Sequence, residues 1–444
     1  MSSVNSISPL GQLLREKLDA RPRTHEGARV NPISPDAKLK RLVLASMLWE
    51  KQFYMDGVKH AELVKDLIAK VLPTKVAELA IAARDKYKLR HVPLLLTREL
   101  ARLGKLKADT LNAVIQRPDE LGEFLSLYWS EKREPLSNQV KKGLAAAFVK
   151  FNEYQLAKWD KNSALVSLRD VMFLCHPKPT DAGQEALFKR VANQELVTPD
   201  TWETQLSAGA NKKETFTRLM AEKKLGALAF LRNLRNMVEA GIDEQVIRNY
   251  ARNVDVSKVL PFRYVAAARI VPHFEDMLEA MMLRSLGSAE KLPGKTVLLV
   301  DVSGSMFGAK VSAKSDLDRF DAAAALAMLC KEVCEDVEIY TFSNSLVRVA
   351  PRSGFALKET LSNSQNHGGT ALGNALSKIT SKHDRIIVFT DEQSQDTVTP
   401  PRCKNGYIIN VAAYENGVNH SAWTTVSGFS EAVIDYIRES EKAD

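Results

Sequence analysis

Five residues form a set of hard oxygen donors: Asp301, Ser303, Ser305, Thr370 and Asp391. The first three lie in Asp301-Val302-Ser303-Gly304-Ser305, directly after the apolar run Val297-Leu298-Leu299-Val300. A buried strand there ends on a carboxylate and turns at once into closely spaced hydroxyls. Thr370 follows Gly368-Gly369, and Asp391 closes a second apolar run at Phe389-Thr390-Asp391. Oxygen ligands of this kind suit a small divalent cation, Mg2+ or another such as Mn2+. One aspartate followed by serines is also a common turn and helix-cap sequence. It is the three segments together, each at a strand end or in a loop, that point to a metal.

The elements needed to hold this set follow from the pattern around it. Composition changes at 285–294, a Ser/Gly/Pro-containing linker, and beyond it strands and helices alternate. Thr296–Val300, Val337–Phe342, Arg385–Phe389 and Tyr407–Val411 read as strands, with Ser345–Val349 as an antiparallel edge strand. Arg319–Val333, Ala371–Thr380 and a last segment from Ser430 to about Glu439 read as helices. Such alternation predicts an α/β domain over 295–444: a doubly wound, mostly parallel sheet covered on both faces. Ligands of these sheets sit beyond the carboxyl ends of the strands, at the switch point, where Asp301 and Asp391 fall.

Before residue 290 strand-like alternation is almost absent. Residues 1–34 read as an irregular arm around one short helix, Leu10 to Leu18. From 35 to 284 helical periodicity recurs, as in Leu39/Leu42/Val43/Met47, Leu63/Val64/Leu67/Ile68 and Leu225/Leu228/Leu231/Leu234. Ser34 can cap the first of these helices with Pro35 in its first turn. A run of amphipathic helices without strands suits stacked helix pairs, an α-solenoid of HEAT type, with a compact helical bundle as the alternative. Each pair buries its apolar face only against its neighbours, and the stack curves into a concave surface or a ring.

Net charge is +8 and uneven. Residues 291–444 carry 16 Lys/Arg against 19 Asp/Glu, leaving 46 against 35 in residues 1–290. The positive field therefore belongs to the helical part, where a polyanion partner is expected. No apolar run is long enough to span a bilayer, and the segment from Met1 to Asn5 lacks secretory character. The four scattered cysteines fit a reducing, cytoplasmic setting. Cys330 and Cys334 stand one helical turn apart on an apolar face and read as core residues.

The C-terminal third resembles a von Willebrand factor A domain, on Asp301-Val302-Ser303-Gly304-Ser305, Gly369-Thr370 and Phe389-Thr390-Asp391. These follow the order of its metal-ion-dependent adhesion site. The resemblance implies that Ser303, Ser305 and Thr370 offer hydroxyls and that Asp301 and Asp391 offer charge. One coordination position is then left for water or a partner's carboxylate. With no nucleophile–base pair nearby, the site is expected to organise or adhere and not to catalyse. Three helical segments resemble the TROVE module of the Ro autoantigen family: Ala82 to Leu94, Leu165 to Pro179, and Gly226 to Met237. Together the resemblances cover roughly residues 35–440, and they imply a ring of HEAT-like helices closed by the A domain. They further imply single-stranded RNA ends in the ring cavity and small structured Y RNAs on its outer basic surface. The implied role is RNA quality control or processing, without enzyme activity of its own and alongside an exoribonuclease in bacteria. The short arm and loops place the chain with bacterial or phage members, and a monomer is expected, since one chain completes the ring.

RNA binding needs cations aimed at phosphates and polar or aromatic groups for bases. The candidates are Arg84, Lys86, Lys88 and Arg90; Lys141, Lys142, Lys158 and Lys161 around Tyr154 and Trp159; Arg169 and His176; Arg232 and Arg235; and the helix-face pair Arg248 and Arg252. Against each stands the alternative of a solvated helix face, a core aromatic or an internal ion pair. The alternative function is a protein–protein adaptor that uses the cation site without RNA. A nuclease built on Asp301 and Asp391 is a weaker reading, because a hydroxyl-rich, single-metal set does not suit two-metal hydrolysis.

Overall fold

The structure, a computed structural model, describes residues 34–45, 57–86, 89–160, 164–257, 259, 261–286, 291–311, 317–412 and 423–427, with 433–434, 437–438 and 441. Lys88, Lys161 and the segment from Leu10 to Leu18 lie outside the described residues. The helical part contains α1 (Pro35–Ala45), α2 (Gly57–Ile68), α3 (Pro73–Asp85), α4 (His91–Arg102), α5 (Ala108–Val114), α6 (Pro118–Tyr128), α7 (Asn138–Val149), α8 (Glu153–Trp159) and α9 (Leu168–Cys175). It continues through α10 (Ala182–Asn193), α11 (Trp202–Ser207), α12 (Lys212–Ala221), α13 (Ala227–Glu239), α14 (Glu244–Asn253), α15 (Pro261–Ile270) and α16 (Glu275–Leu286).

Local chemistry sets many of these boundaries. Ala37 N–H donates to Ser34 Oγ at 3.2 Å at the start of α1. A reciprocal capping box of Ser167 and Asp170 opens α9, which ends at His176 in the left-handed region with φ 49°. The helices then stack as pairs. α3 packs on α4 and α5, α4 on α6, α5 on α7, and α7 and α6 on α9. Leu94, Leu95, Phe124, Leu144 and Phe148, each almost wholly buried, supply the apolar faces that such stacking hides.

α16 ends at Leu286 and β1 begins at Leu292, so the connection is shorter than the 285–294 linker read from composition. The second part runs β1 (Leu292–Asp301), α17 (Arg319–Val333), β2 (Cys334–Phe342), β3 (Leu346–Val349), α18 (Gly354–Ser362), α19 (Leu372–Lys378), β4 (Arg385–Thr390), β5 (Asn405–Asn410) and β6 (Thr424–Ser427). The sheet order is β3-β2-β1-β4-β5-β6, parallel throughout except for β3 against β2. Val297 to Val300 are fully buried because helices cover both faces. α18 and β6 have no counterpart in the sequence reading. Of the last expected helix, Val433, Ile434, Ile437 and Arg438 are helical among the described residues. Cys330 and Cys334 are buried free thiols.

The helical array meets the sheet domain at both ends. α15 and α16 pack on α17, and α16 also packs on α18, while α1 packs on β6. Arg269 of α15 pairs with Asp321 of α17, and Phe355 N–H donates to Glu279 Oε1 at 2.8 Å. Together these contacts close the chain on itself.

Candidate metal centre and basic helical surface

The sheet order reverses between β1 and β4, and their C-terminal ends open the crevice where ligands of doubly wound sheets bind. Asp301, the last residue of β1, is fully buried. Its Oδ1 accepts from Ser303 N–H at 2.8 Å, and its Oδ2 accepts from the Thr390 hydroxyl at 2.6 Å. The Ser303 and Ser305 hydroxyl oxygens stand 3.3 Å apart. Gly304 N–H donates to Gly368 O at 3.0 Å, which ties the serine loop to the glycine loop. A Cβ at 368 would meet Asn344 Nδ2 at 2.2 Å, so a larger residue there would displace that exposed side chain. The buried Thr370 follows, and its carbonyl accepts from Gln395 N–H at 2.9 Å. Asp391 is fully buried, with Oδ1 accepting from Gln393 N–H at 3.2 Å and Oδ2 3.3 Å from Arg319 Nη1. All five donors predicted from the sequence therefore come from loops that bond to one another at this one edge.

The donor set fits a divalent cation. Burial first, and the negative charge of Asp391 second, push the Asp301 carboxyl up to about 7 from its ordinary value. Two wholly buried carboxylates at one crevice favour a cation beside them, and hydroxyl oxygens suit Mg2+ better than a thiophilic ion. Among the described residues no cluster of three or more His, Cys, Asp or Glu forms a competing site. Two neighbours escaped the sequence reading. Arg319, almost wholly buried, reaches the site from the first turn of α17. Glu392, fully buried with φ 61°, holds a left-handed conformation directly after Asp391, and its Oε2 accepts from Asn410 Nδ2 at 3.2 Å.

The basic candidates divide sharply. Arg84 is buried and serves the core. Nη2 bonds Glu120 Oε1 at 2.6 Å, Nε donates to Val114 O and Nη1 donates to Leu89 O. Arg90 pairs with Asp119 and Glu123 at the wall of a cavity of about 660 Å3 between α4, α6 and residues 164–168. Both arginines are thereby removed from the phosphate-contacting set: their charge is spent on carboxylates of α6. Beside them, burial first and Arg90 second push the His91 imidazole down. Trp159 lies half-buried with the Arg117 guanidinium 4.1 Å from its ring centre, so it is no free stacking platform, and Lys158 lies at its edge. Arg248 pairs with Glu244 and Asp276, and Arg235 lies 3.6 Å from Glu239 on an exposed face. Arg232, Arg252 and Lys86 are exposed.

Four of the exposed candidates lie on α7 and on or just after α9, two helices that pack together. Lys141 and Lys142 are exposed on α7, while Arg169 and His176 are exposed along and just after α9. On α9 Phe173 is 53% exposed with the Arg169 guanidinium 5.6 Å from its ring centre. The sequence reading did not single out Phe173. Its position at i+4 from Arg169 was the available signal, since neither residue falls on the apolar stripe of Leu168, Val171 and Cys175.

A solenoid of helix pairs that closes on a doubly wound domain, with hydroxyl and carboxylate donors at its switch point, defines a class of two-part proteins. Residues 189–307 match the family model of the TROVE domain. Over 110 residues the chain is 36% identical to telomerase protein component 1 of Mus musculus and 30% identical to that of Rattus norvegicus. Those stretches are 23% of this chain and span 4% of each relative's length. The solved Ro (RSR) protein of Deinococcus radiodurans aligns with a TM-score of 0.61 at 18% identity, covering 91% of this chain and 100% of that one. The TROVE match thus covers part of the chain, from the helical half into β1, while the fold as a whole is that of the Deinococcus Ro structure. Among the described residues no helix is long and apolar enough to cross a membrane.

Proposed function

We propose that this chain is a non-catalytic, RNA-binding scaffold of the Ro type, working in the cytoplasm in RNA quality control or processing. The observation that carries the reading is the α7–α9 surface. There Lys141, Lys142, Arg169 and His176 are exposed on or just after two helices that pack together, with an exposed aromatic, Phe173, paired with the Arg169 guanidinium. Cations aimed outward with an exposed ring between them are what single-stranded RNA requires. Small structured RNA of the Y type is assigned to the outer basic face and single-stranded ends to the ring interior. The A domain holds Mg2+ through Asp301, Ser303, Ser305, Thr370 and Asp391, an organising charge with a position open to a protein such as an exoribonuclease. The net charge of −3 in residues 291–444 supports assigning protein, not RNA, to that half.

The test is anisotropy with a hairpin RNA carrying a single-stranded tail, against the blunt hairpin and duplex. Preference for the tailed RNA with a steep loss on adding salt is expected. Equal affinity for all three overturns the end-binding reading. An RNA-free protein that captures a partner only with Mg2+, and loses it on Asp301→Ala, moves the assignment to the adaptor.

A further inference from the structure

We infer that Arg319 is a resident cation of the metal centre, which competes with the divalent ion for Asp391 and thereby sets its affinity. This rests on the reading of the five donors as a Mg2+ site. Arg319 is 3% exposed, and its Nη1 lies 3.3 Å from Asp391 Oδ2 and 3.3 Å from the Ser305 carbonyl oxygen. A single guanidinium nitrogen thus bridges two of the segments that supply the ligands.

The side chain has little freedom to leave. It opens α17, whose start is fixed by the Asp318–Asp321 capping box. Asp321 in turn holds Arg269 and, at 2.8 Å, Lys358. A guanidinium cannot shed its proton in a protein, so an entering metal always meets a positive charge here. Charge counting gives the consequence. Asp301 and Asp391 alone would match a divalent ion, whereas with Arg319 present the filled centre carries one surplus positive charge. The metal therefore binds weakly by itself, and its occupancy responds to an anionic group at the open position.

Isothermal titration of the full-length chain with MgCl2 tests this, using wild type, Arg319→Gln, Arg319→Met and, as a control for the site, Asp391→Ala. The neutral variants are expected to bind Mg2+ at least about tenfold more tightly, the order expected for removing one like charge from a partly desolvated site. Asp391→Ala is expected to lose binding. Folded neutral variants with wild-type or weaker affinity overturn the inference and leave the metal site standing. Absence of binding in folded wild type and both neutral variants overturns the metal reading itself, and the inference with it. If neither neutral variant folds, Arg319→Lys decides. Its retained charge must keep the affinity within about threefold of wild type, and a larger change would show that shape, not charge, sets the affinity.

Discussion

The most direct perturbation of the metal centre is pH, because its central carboxylate is held far from its ordinary value. Burial and Asp391 raise Asp301 from 3.8 to about 7. That gap corresponds to roughly 4 kcal/mol against the ionised form in the cation-free protein. A raised acid stabilises the fold fully only below its unfolded pKa, and that stability is lost as pH rises through the folded value. Without metal, therefore, the protein is expected to lose stability steadily from about pH 4 to above about pH 7. A divalent cation needs the carboxylate ionised and so reverses the trend. Protons compete with it below about pH 7, and a single site of that pKa weakens apparent Mg2+ affinity about tenfold at about pH 6 relative to about pH 8.

Thermal unfolding across this range, with chelator and with Mg2+, reads both effects. The gain in melting temperature from Mg2+ is expected to be small at the acidic end and to grow through neutrality. Asp301→Asn should remove both the pH dependence and the gain, since the amide neither titrates nor supplies charge. A Mg2+ effect of equal size at both ends of the range would falsify the assignment of the buried Asp301 charge as its origin. So would a chelated protein as stable above neutrality as below it.

Three further outcomes follow from the helical part. Arg84→Met leaves the fully buried Glu120 only the more distant Arg90, 3.7 Å away, as counter-charge, and urea unfolding should show a loss of about 3–5 kcal/mol with RNA affinity of the folded fraction unchanged. Phe173→Ala should weaken single-stranded RNA binding by about 1–3 kcal/mol, whereas Lys141→Ala should lower the slope of log affinity on log salt by about one. Gly122→Ala places a Cβ 2.3 Å from the Val166 carbonyl oxygen, so α6 must shift against the neighbouring segment, at a cost of about 1–3 kcal/mol in unfolding free energy.

The convergence of Asp301, Ser303, Ser305, Thr370 and Asp391 was legible because each ends a strand or sits in a short motif, and sheet topology then brings the motifs together. Arg319 was not, since it reaches Asp391 across 72 positions and nothing in its surroundings marks it as a site residue. Arg84 and Arg90 were misread for a related reason. A run of basic residues at the end of one helix and the start of the next says nothing of the carboxylates that meet it, and those arrive on α6 29 to 36 positions later. β6 escaped because Thr424, Thr425 and Ser427 make a strand of four residues with one aliphatic side chain, too short for a period to register. α18 is nine residues long, and its start at Gly354 depends on a contact with Glu279 from the other half of the chain.

Closure of the helical array carries a topological consequence for RNA. α1 rests on β6, and α15 and α16 rest on α17 and α18, so the A domain holds both ends of the solenoid. A strand entering the interior proposed for single-stranded ends must then thread by a free end unless the α1 contact parts. That contact is the non-covalent one, whereas α16 continues directly into β1 across five residues. On the proposed reading the α7–α9 surface imposes no such condition, since its exposed cations and Phe173 would take phosphates and bases without threading. A circular single-stranded RNA is therefore expected to lose the cavity-bound component of affinity while keeping the salt-sensitive surface component. A linear RNA of the same sequence keeps both. Competition between the two forms measures this directly. Equal affinity would mean either that the α1 seam opens at little cost or that the interior plays no part. Disulfide cross-linking of α1 to β6 separates the two, because only an opening seam makes circular RNA binding sensitive to the cross-link.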